Sequence, residues 1–305
     1  MTSRRPAGRI DSMKASQKSA PEEHSPGLDP KNLLGDFLWA RRAQLTPEQA
    51  GIASFGTRRV PGLRREELSQ LAGVSVNYYT RLEQGEAMHP SASIIGAIAR
   101  ALCLEEDETT YLHNIAGTAE QVRTSIVAPQ PGMGEGLPFE KIVEFMPETA
   151  SITLSPTKDV LSYTPLAYEL FFKHLLEDES QWNTNRMLFM DPFTRDLYRN
   201  WAEEASLAVA SLRFDAALNP TNSKVRELVG ELSVGSDEFA RLWAEHPVKR
   251  CTRGRKYLLH PELGELELDY QVLRAPDGDG RYILIHTAPE GSATAETLNR
   301  LHHEL

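Results

Sequence analysis

Between Arg65 and Gly85 the chain reads REELSQLAGVSVNYYTRLEQG, a run whose residue types and spacing suit the reading of duplex DNA. One helix is expected to end at Ala72, and Gly73 supplies a left-handed turn. Val74 then plugs the gap between helices, and Ser75 caps a second helix. With Tyr79 and Leu82 turned inward, a rotation of about 100° per residue leaves Val76, Asn77, Thr80, Arg81 and Gln84 outward. Arg81 suits a guanine edge, Asn77 an adenine and Val76 a thymine methyl, with Thr80 on the same face. Arg58, Arg59, Arg64 and Arg65 stand just before, where cations meet phosphates and fix register without reading sequence. Ser75 and Gln84, at the two ends of the second helix, complete the expected phosphate contacts. The competing reading is a helical bundle whose charges are merely solvated; the turn glycine, apolar plug, capping serine and inward pair, all at the right offsets, argue against it.

These side chains need a rigid frame. Apolar residues recur at three- and four-residue spacing from Asn32 to Gly117, through Leu34, Phe37 and Leu38, Leu68 and Leu71, Tyr79 and Leu82, Ile94, Ile95 and Ile98, then Tyr111, Leu112 and Ile115, which predicts five short helices. Ser91 after Pro90 fits an N-cap, and Gly73, Gly85 and Gly117 fit helix ends. Residues 1–30, rich in Ser, Pro, Lys and Glu, read as a disordered tail, and 118–139, containing APQPGMGEGLP, as a linker.

Beyond the linker the pattern becomes mixed. Strands are expected at 150–154, 159–163, 255–259, 265–273 and 282–287, with PDGDG at 276–280 turning the last two into a hairpin. Helical patterns cover about 165–175, 191–217, 222–233 and 236–244. That order predicts an antiparallel sheet with helices set into its middle, an α+β domain over 140–297, followed by a tail at 298–305.

Charge and composition remove several classes. The 305 residues carry a formal net charge of -10, so bulk attraction to nucleic acid or anionic membrane is excluded and any such contact is local. Residues 31–85 hold eight basic side chains against five acidic, whereas 86–117 hold one against five and everything after 117 is acidic on balance. No apolar run approaches the roughly 18 residues of a membrane span and no signal-peptide core follows the first basic residues, so a cytoplasmic location without membrane contact is expected. Cys103 and Cys251 lie far apart without a CxxC, so neither a disulfide framework nor a thiolate metal site is expected, and no cofactor is implied.

Residues 33–117, through RRVPGLRREELSQLAGVSVNYYTRLEQG and PSASIIGAIARALCLEEDE, resemble the helix-turn-helix domain of XRE-type regulators, specifically the MmyB-related subgroup. The resemblance implies an all-α, five-helix, lambda-repressor-like DNA-binding domain over 31–117. It places Val76, Asn77 and Arg81 on base-reading positions and Arg65 on a phosphate. Glu83 is expected to pair internally with Arg41 or Arg42. The link GIASFGTRRVPG between the first two helices is longer than in generic XRE domains; its arginines either add backbone or minor-groove contacts or form a plain surface loop.

The second part resembles the MmyB-like ligand-binding domain, a PAS-like fold. The residues that carry the likeness are Asp159-Val160-Leu161, Asn183, Arg186, Phe189 and Asp191-Pro192, Arg195, Tyr198 and Trp201, Gly230-Glu231-Leu232-Ser233, Trp243 with His246, and His260-Pro261 with Gly264 and Leu266. Two departures stand out: Tyr163-Thr164 replaces the usual Trp-Asn after the second strand, and Pro289-Glu290-Gly291-Ser292 replaces Pro-Gly-Ser. The family implies a small, apolar, fatty-acid-like ligand. Asn183, Arg186 and Arg195 are the candidates for its head, and Phe189, Tyr198, Trp201, Trp243 and Tyr270 for the wall; the same residues also fit surface ion pairs and ordinary core. Catalysis has little support, since His246 and His260 stand alone and no HExxH, P-loop or GxSxG occurs. A pure dimerisation module is the remaining alternative. The expected molecule is a homodimeric regulator that binds a double-stranded DNA operator and a small apolar ligand.

Overall fold

The computed structural model describes residues 33–52, 60, 62–86, 90–117, 137–175, 178–218, 222–276 and 280–305. The predicted tail 1–30, the linker up to residue 136, Arg58, Arg59 and most of the hairpin turn lie outside the described residues.

Five helices build the first part: α1 (Leu33–Gln44), α2 (Arg65–Ala72), α3 (Val76–Glu83), α4 (Ala92–Ala101) and α5 (Glu106–Ile115). The local signals act as read. Gly73 takes φ 66°, a backbone that penalises any Cβ, and ends α2. Ser75 Oγ accepts the Tyr78 N–H at 3.1 Å, and Ser91 caps α4 through Ile94. Phe37, Leu38, Leu63, Leu68, Tyr79, Leu82, Ile95, Ile98 and Leu112 are fully buried between these helices.

A 3-10 segment at Phe139–Phe145 leads into β1 (Ala150–Leu154) and β2 (Val160–Tyr163). Next come α6 (Pro165–Ala167), continued as one wide turn over Tyr168–Phe172, then α7 (Thr184–Met190), α8 (Pro192–Leu197), α9 (Trp201–Leu218), α10 (Ser223–Gly235) and α11 (Asp237–Ala244). The chain closes with β3 (Arg253–His260), β4 (Gly264–Arg274), β5 (Tyr282–Thr287) and α12 (Ala293–Glu304). The strands form one antiparallel sheet ordered β2-β1-β5-β4-β3, with Ile152 opposite Leu284 and Val272 opposite Leu284 from the other side. The molecule is therefore an all-α domain followed by an α+β domain.

Three expectations need correction. The helix expected at 191–217 is two, because Tyr198 and Arg199 leave helical geometry to pair their backbones with Leu258 and Tyr257 of β3. Residues 184–190, outside the expected elements, form α7, nucleated by Asn183, whose side chain accepts the N–H groups of Asn185 and Arg186 at 3.1 Å each. The C-terminal tail expected from 298 is the second half of α12, held by burial of Leu298 beneath the sheet domain and capped by Ser292.

Helix α9 is apolar on most sides because it serves two cores and lines the cavity of the sheet domain. Ala205, Val209, Leu212 and Ala216 pack with α10 and α11, whereas Phe214 and Ala217 belong to the core of the five-helix domain beside Phe37, Tyr111 and Leu112. Around that junction Arg41 bonds the His246 carbonyl at 3.0 Å and Glu108 at 2.7 Å, and Gln44 bonds the Glu245 carbonyl at 3.0 Å. Arg213 is buried with its guanidinium 3.8 Å from the Trp243 ring centre and donates to the Trp243 carbonyl.

Candidate functional site

Helix α3 lies on the domain with Tyr79 and Leu82 fully buried. Val76, Asn77, Arg81 and Gln84 are exposed and Thr80 is half-buried, so the five fall on one open side. A single ion-pair cluster fixes the pose of the helix. Arg42 grips Glu83 through two hydrogen bonds, Nε–Oε2 at 3.0 Å and Nη2–Oε1 at 2.6 Å, and its Nη1 bonds the Leu63 carbonyl at 2.8 Å. The expected pairing of Glu83 with Arg41 or Arg42 therefore resolves to Arg42. Arg41 is engaged instead with Glu108. Arg65 also reaches Glu83, at 3.1 Å, which couples a candidate phosphate contact to the anchor of α3. Burial pushes the Glu83 carboxyl up, but the hydrogen bonds from Arg42 and Arg65 outweigh it and hold the group below its usual range. Arg64 is exposed, and Ser75, as the cap, keeps its hydroxyl proton for another acceptor.

In the second domain the inner face of the sheet, the wide turn and helices α7 to α9 enclose a cavity of about 130 Å³. Its apolar wall is Ile152, Leu154, Phe171, Phe172, Leu197 and Leu284. Two lysines enter it from the sheet side, and each meets a carboxylate carried by α9. Lys158, held in left-handed backbone at φ 69°, places Nζ 2.5 Å from Asp215 Oδ2, 3.1 Å from Ser211 Oγ and 3.1 Å from Tyr282 Oη. Lys256 places Nζ 2.5 Å from Glu204 Oε2 and lies 5.3 and 5.2 Å from the ring centres of Tyr198 and Tyr270. Burial works against both charges, yet Asp215 beside Lys158, and Tyr198 and Glu204 beside Lys256, raise both ammonium groups above the ordinary lysine value, so both stay charged. Burial and the Lys256 charge push His286, another wall residue, down to about 3, so it is neutral. Asn185 Nδ2 and His286 Nε2 are buried without a hydrogen-bond partner among the described residues.

The predicted pocket residues divide. Tyr198 and Tyr270 line the cavity. Asn183 does not; its Nδ2 donates to the Thr157 carbonyl at 2.7 Å and to Asp159 at 2.8 Å, locking the β1–β2 turn to α7. Arg186 pairs on the surface with Glu231 through two bonds of 2.8 Å, and Arg195 stacks 3.8 Å over Trp201. Phe189, Trp201 and Trp243 pack with Phe239 in the helical core formed by α9, α10 and α11. Sequence reading missed Lys158, Lys256, Glu204 and Asp215. Lys256 was legible, because the alternation of β3 sets it on the inward face with Leu258 and His260. For Lys158 no sequence signal exists, since its inward pose depends on the turn conformation.

Residues 33–112 match the model of a helix-turn-helix domain, and residues 139–301, more than half of the chain, match the ligand-binding domain of MmyB-like transcription regulators. The chain belongs to the MmyB-like transcription regulators. As a regulator of this family it joins a DNA-binding helix-turn-helix domain to a ligand-binding domain, and the cavity lies within the matched span of the latter. Comparison with curated proteins gives no match. Among the described residues no cluster of His, Cys, Asp and Glu has the makings of a metal site, and no helix is long and apolar enough to cross a membrane.

Proposed function

We propose that this regulator is a cytoplasmic, XRE-type, sequence-specific DNA-binding homodimer whose operator affinity responds to a small, apolar, fatty-acid-like effector held in the sheet–helix cavity. Val76, Asn77, Thr80 and Arg81 read base edges in the major groove; Arg58, Arg59, Arg64, Arg65, Ser75 and Gln84 hold phosphates. Two-fold symmetry sets the two recognition helices about 34 Å apart on a pseudo-palindrome. The DNA-binding unit spans 31–117, and a PAS-like effector unit runs from 140 through α12. The strand order β2-β1-β5-β4-β3 with helices inserted after β2 supports the PAS-like reading.

The observation that carries this function is that α9 takes part both in the cavity and in the core of the DNA-binding domain. Its Glu204, Leu207 and Ser211 line the cavity, and three residues past Ser211 its Phe214 enters the core of the DNA-binding domain. A cavity of this size compares with an engineered one of about 150 Å³ that holds benzene, so it fits a short acyl chain. The two regulator families direct the reading away from catalysis. Genomic footprinting of the tagged full chain, repeated after lipid extraction, tests it: discrete protected sites are expected, with occupancy that changes on extraction. Protection nowhere above background at low salt excludes the DNA-binding reading.

A further inference from the structure

The two lysines of the cavity differ in how fully they are used. An ammonium group has three N–H donors. Those of Lys158 are all taken, by Asp215, Ser211 and Tyr282. Lys256 donates to Glu204 and, among the described residues, to no other acceptor; two tyrosine ring faces supply the rest of its surroundings. Its side chain is only 13% exposed. Lys158 is thus a strut, and Lys256 is a buried cation with donors to spare at the cavity wall.

We infer that the ammonium of Lys256 receives the head group of a monoanionic amphiphile, a carboxylate above all, and that this head group competes there with Glu204. The inference rests on the cavity being the effector site, as proposed above. Arriving charge and local charge match: Lys256 and Glu204 balance each other, and Lys158 and Arg274 share the single carboxylate of Asp215, so an extra cation finds no free anion, whereas an extra anion finds the two idle donors of Lys256. Glu204 stands in the first turn of α9, where the helix dipole favours a carboxylate, which offsets part of the loss. Competition for Lys256 therefore acts on α9 itself, the helix whose other end is embedded in the DNA-binding domain.

Calorimetry on the full chain with hexanoate, hexanol and hexylamine tests the assignment. Wild type is expected to bind hexanoate at least about tenfold more tightly than hexanol, and hexylamine least of all. Lys256→Met should erase the preference for hexanoate. Glu204→Gln should widen it by about tenfold and lower the melting temperature, with hexanoate but not hexanol restoring that temperature. The double variant K256M/E204Q, which leaves the net charge around the cavity as it is in wild type, controls for folding and should bind hexanoate and hexanol alike. Equal binding of hexanoate and hexanol by wild type overturns the inference, as does weaker hexanoate binding by E204Q; the effector-site reading survives either. If none of the three molecules binds, both fall. Should E204Q not fold, wild type and the double variant decide by the same comparison.

Discussion

Arg42 in α1 and Glu83 at the end of α3 are joined by two parallel hydrogen bonds of 3.0 and 2.6 Å, and through them α3 is pinned to the helix that opens the domain. Breaking a buried pair by removing one partner costs about 3–5 kcal/mol. Glu83→Gln should therefore destabilise the domain toward the lower end of that range, because solvent reaches Arg65 on one side, and should weaken operator binding as α3 loses its pose. Because the folded carboxyl titrates below its unfolded value of about 4.3, its stabilisation is complete above that value and lost as pH falls through the lower, folded one. Urea melts of wild type and Glu83→Gln across pH 3–7 should converge at the acid end; parallel curves would contradict the linkage.

Arg81 and Arg65 should separate reading from positioning. Arg81→Ala is expected to cost about 1–3 kcal/mol and to relax preference at one base pair, whereas Arg65→Ala should weaken all sites alike and reduce the salt slope by about one. Since Arg65 also bonds Glu83, its variant should lower stability slightly as well. Fluorescence anisotropy on an operator library at several salt concentrations checks both; unchanged base preference in Arg81→Ala removes it from the reading set.

Lys158 and Asp215 form a buried strut between the sheet side of the cavity and α9. Lys158→Met alone should destabilise the second domain by about 3–5 kcal/mol, and pairing it with Asp215→Asn should recover part of the loss by removing a buried carboxylate left with Arg274 as its remaining ionic partner. A double-mutant cycle in urea gives the coupling, and additive losses would show that the pair contributes nothing specific.

Two histidines set an acid limit. Burial, with Arg213 and Arg41 nearby, pushes His246 down to about 3, and burial with Lys256 does the same for His286. The unfolded chain protonates these rings near 6.5 and the folded chain does not, so stability is full above that pH and falls as pH drops from about 6.5 toward 3. His286→Asn should flatten the slope of stability against pH in that window. A slope equal to that of wild type would mean that His286 is protonated in the fold.

The frame of the first domain was legible because its signals are local. Gly73, Ser75 and Ser91 fix helix ends within a few residues of themselves, and the inward pair Tyr79 and Leu82 follows from helical spacing alone. In the second domain the same logic found all five strands but misjudged the cavity. Motif aromatics such as Phe189, Trp201 and Trp243 are spent on the packing of α9 against α10 and α11, and Arg186 and Arg195 find partners near at hand. The groups that do face the cavity meet across long stretches of chain, Lys158 with Asp215 and Lys256 with Glu204, and no local pattern announces such pairs.

Phe214 has a final consequence. The hydrophobic seal of the DNA-binding head is not encoded with the head; it arrives from α9, long after Ile115, the last residue of α5. A nascent chain halted after α5 lacks Phe214 and Ala217, so the core of the head is complete only once the ligand-binding half has been synthesised.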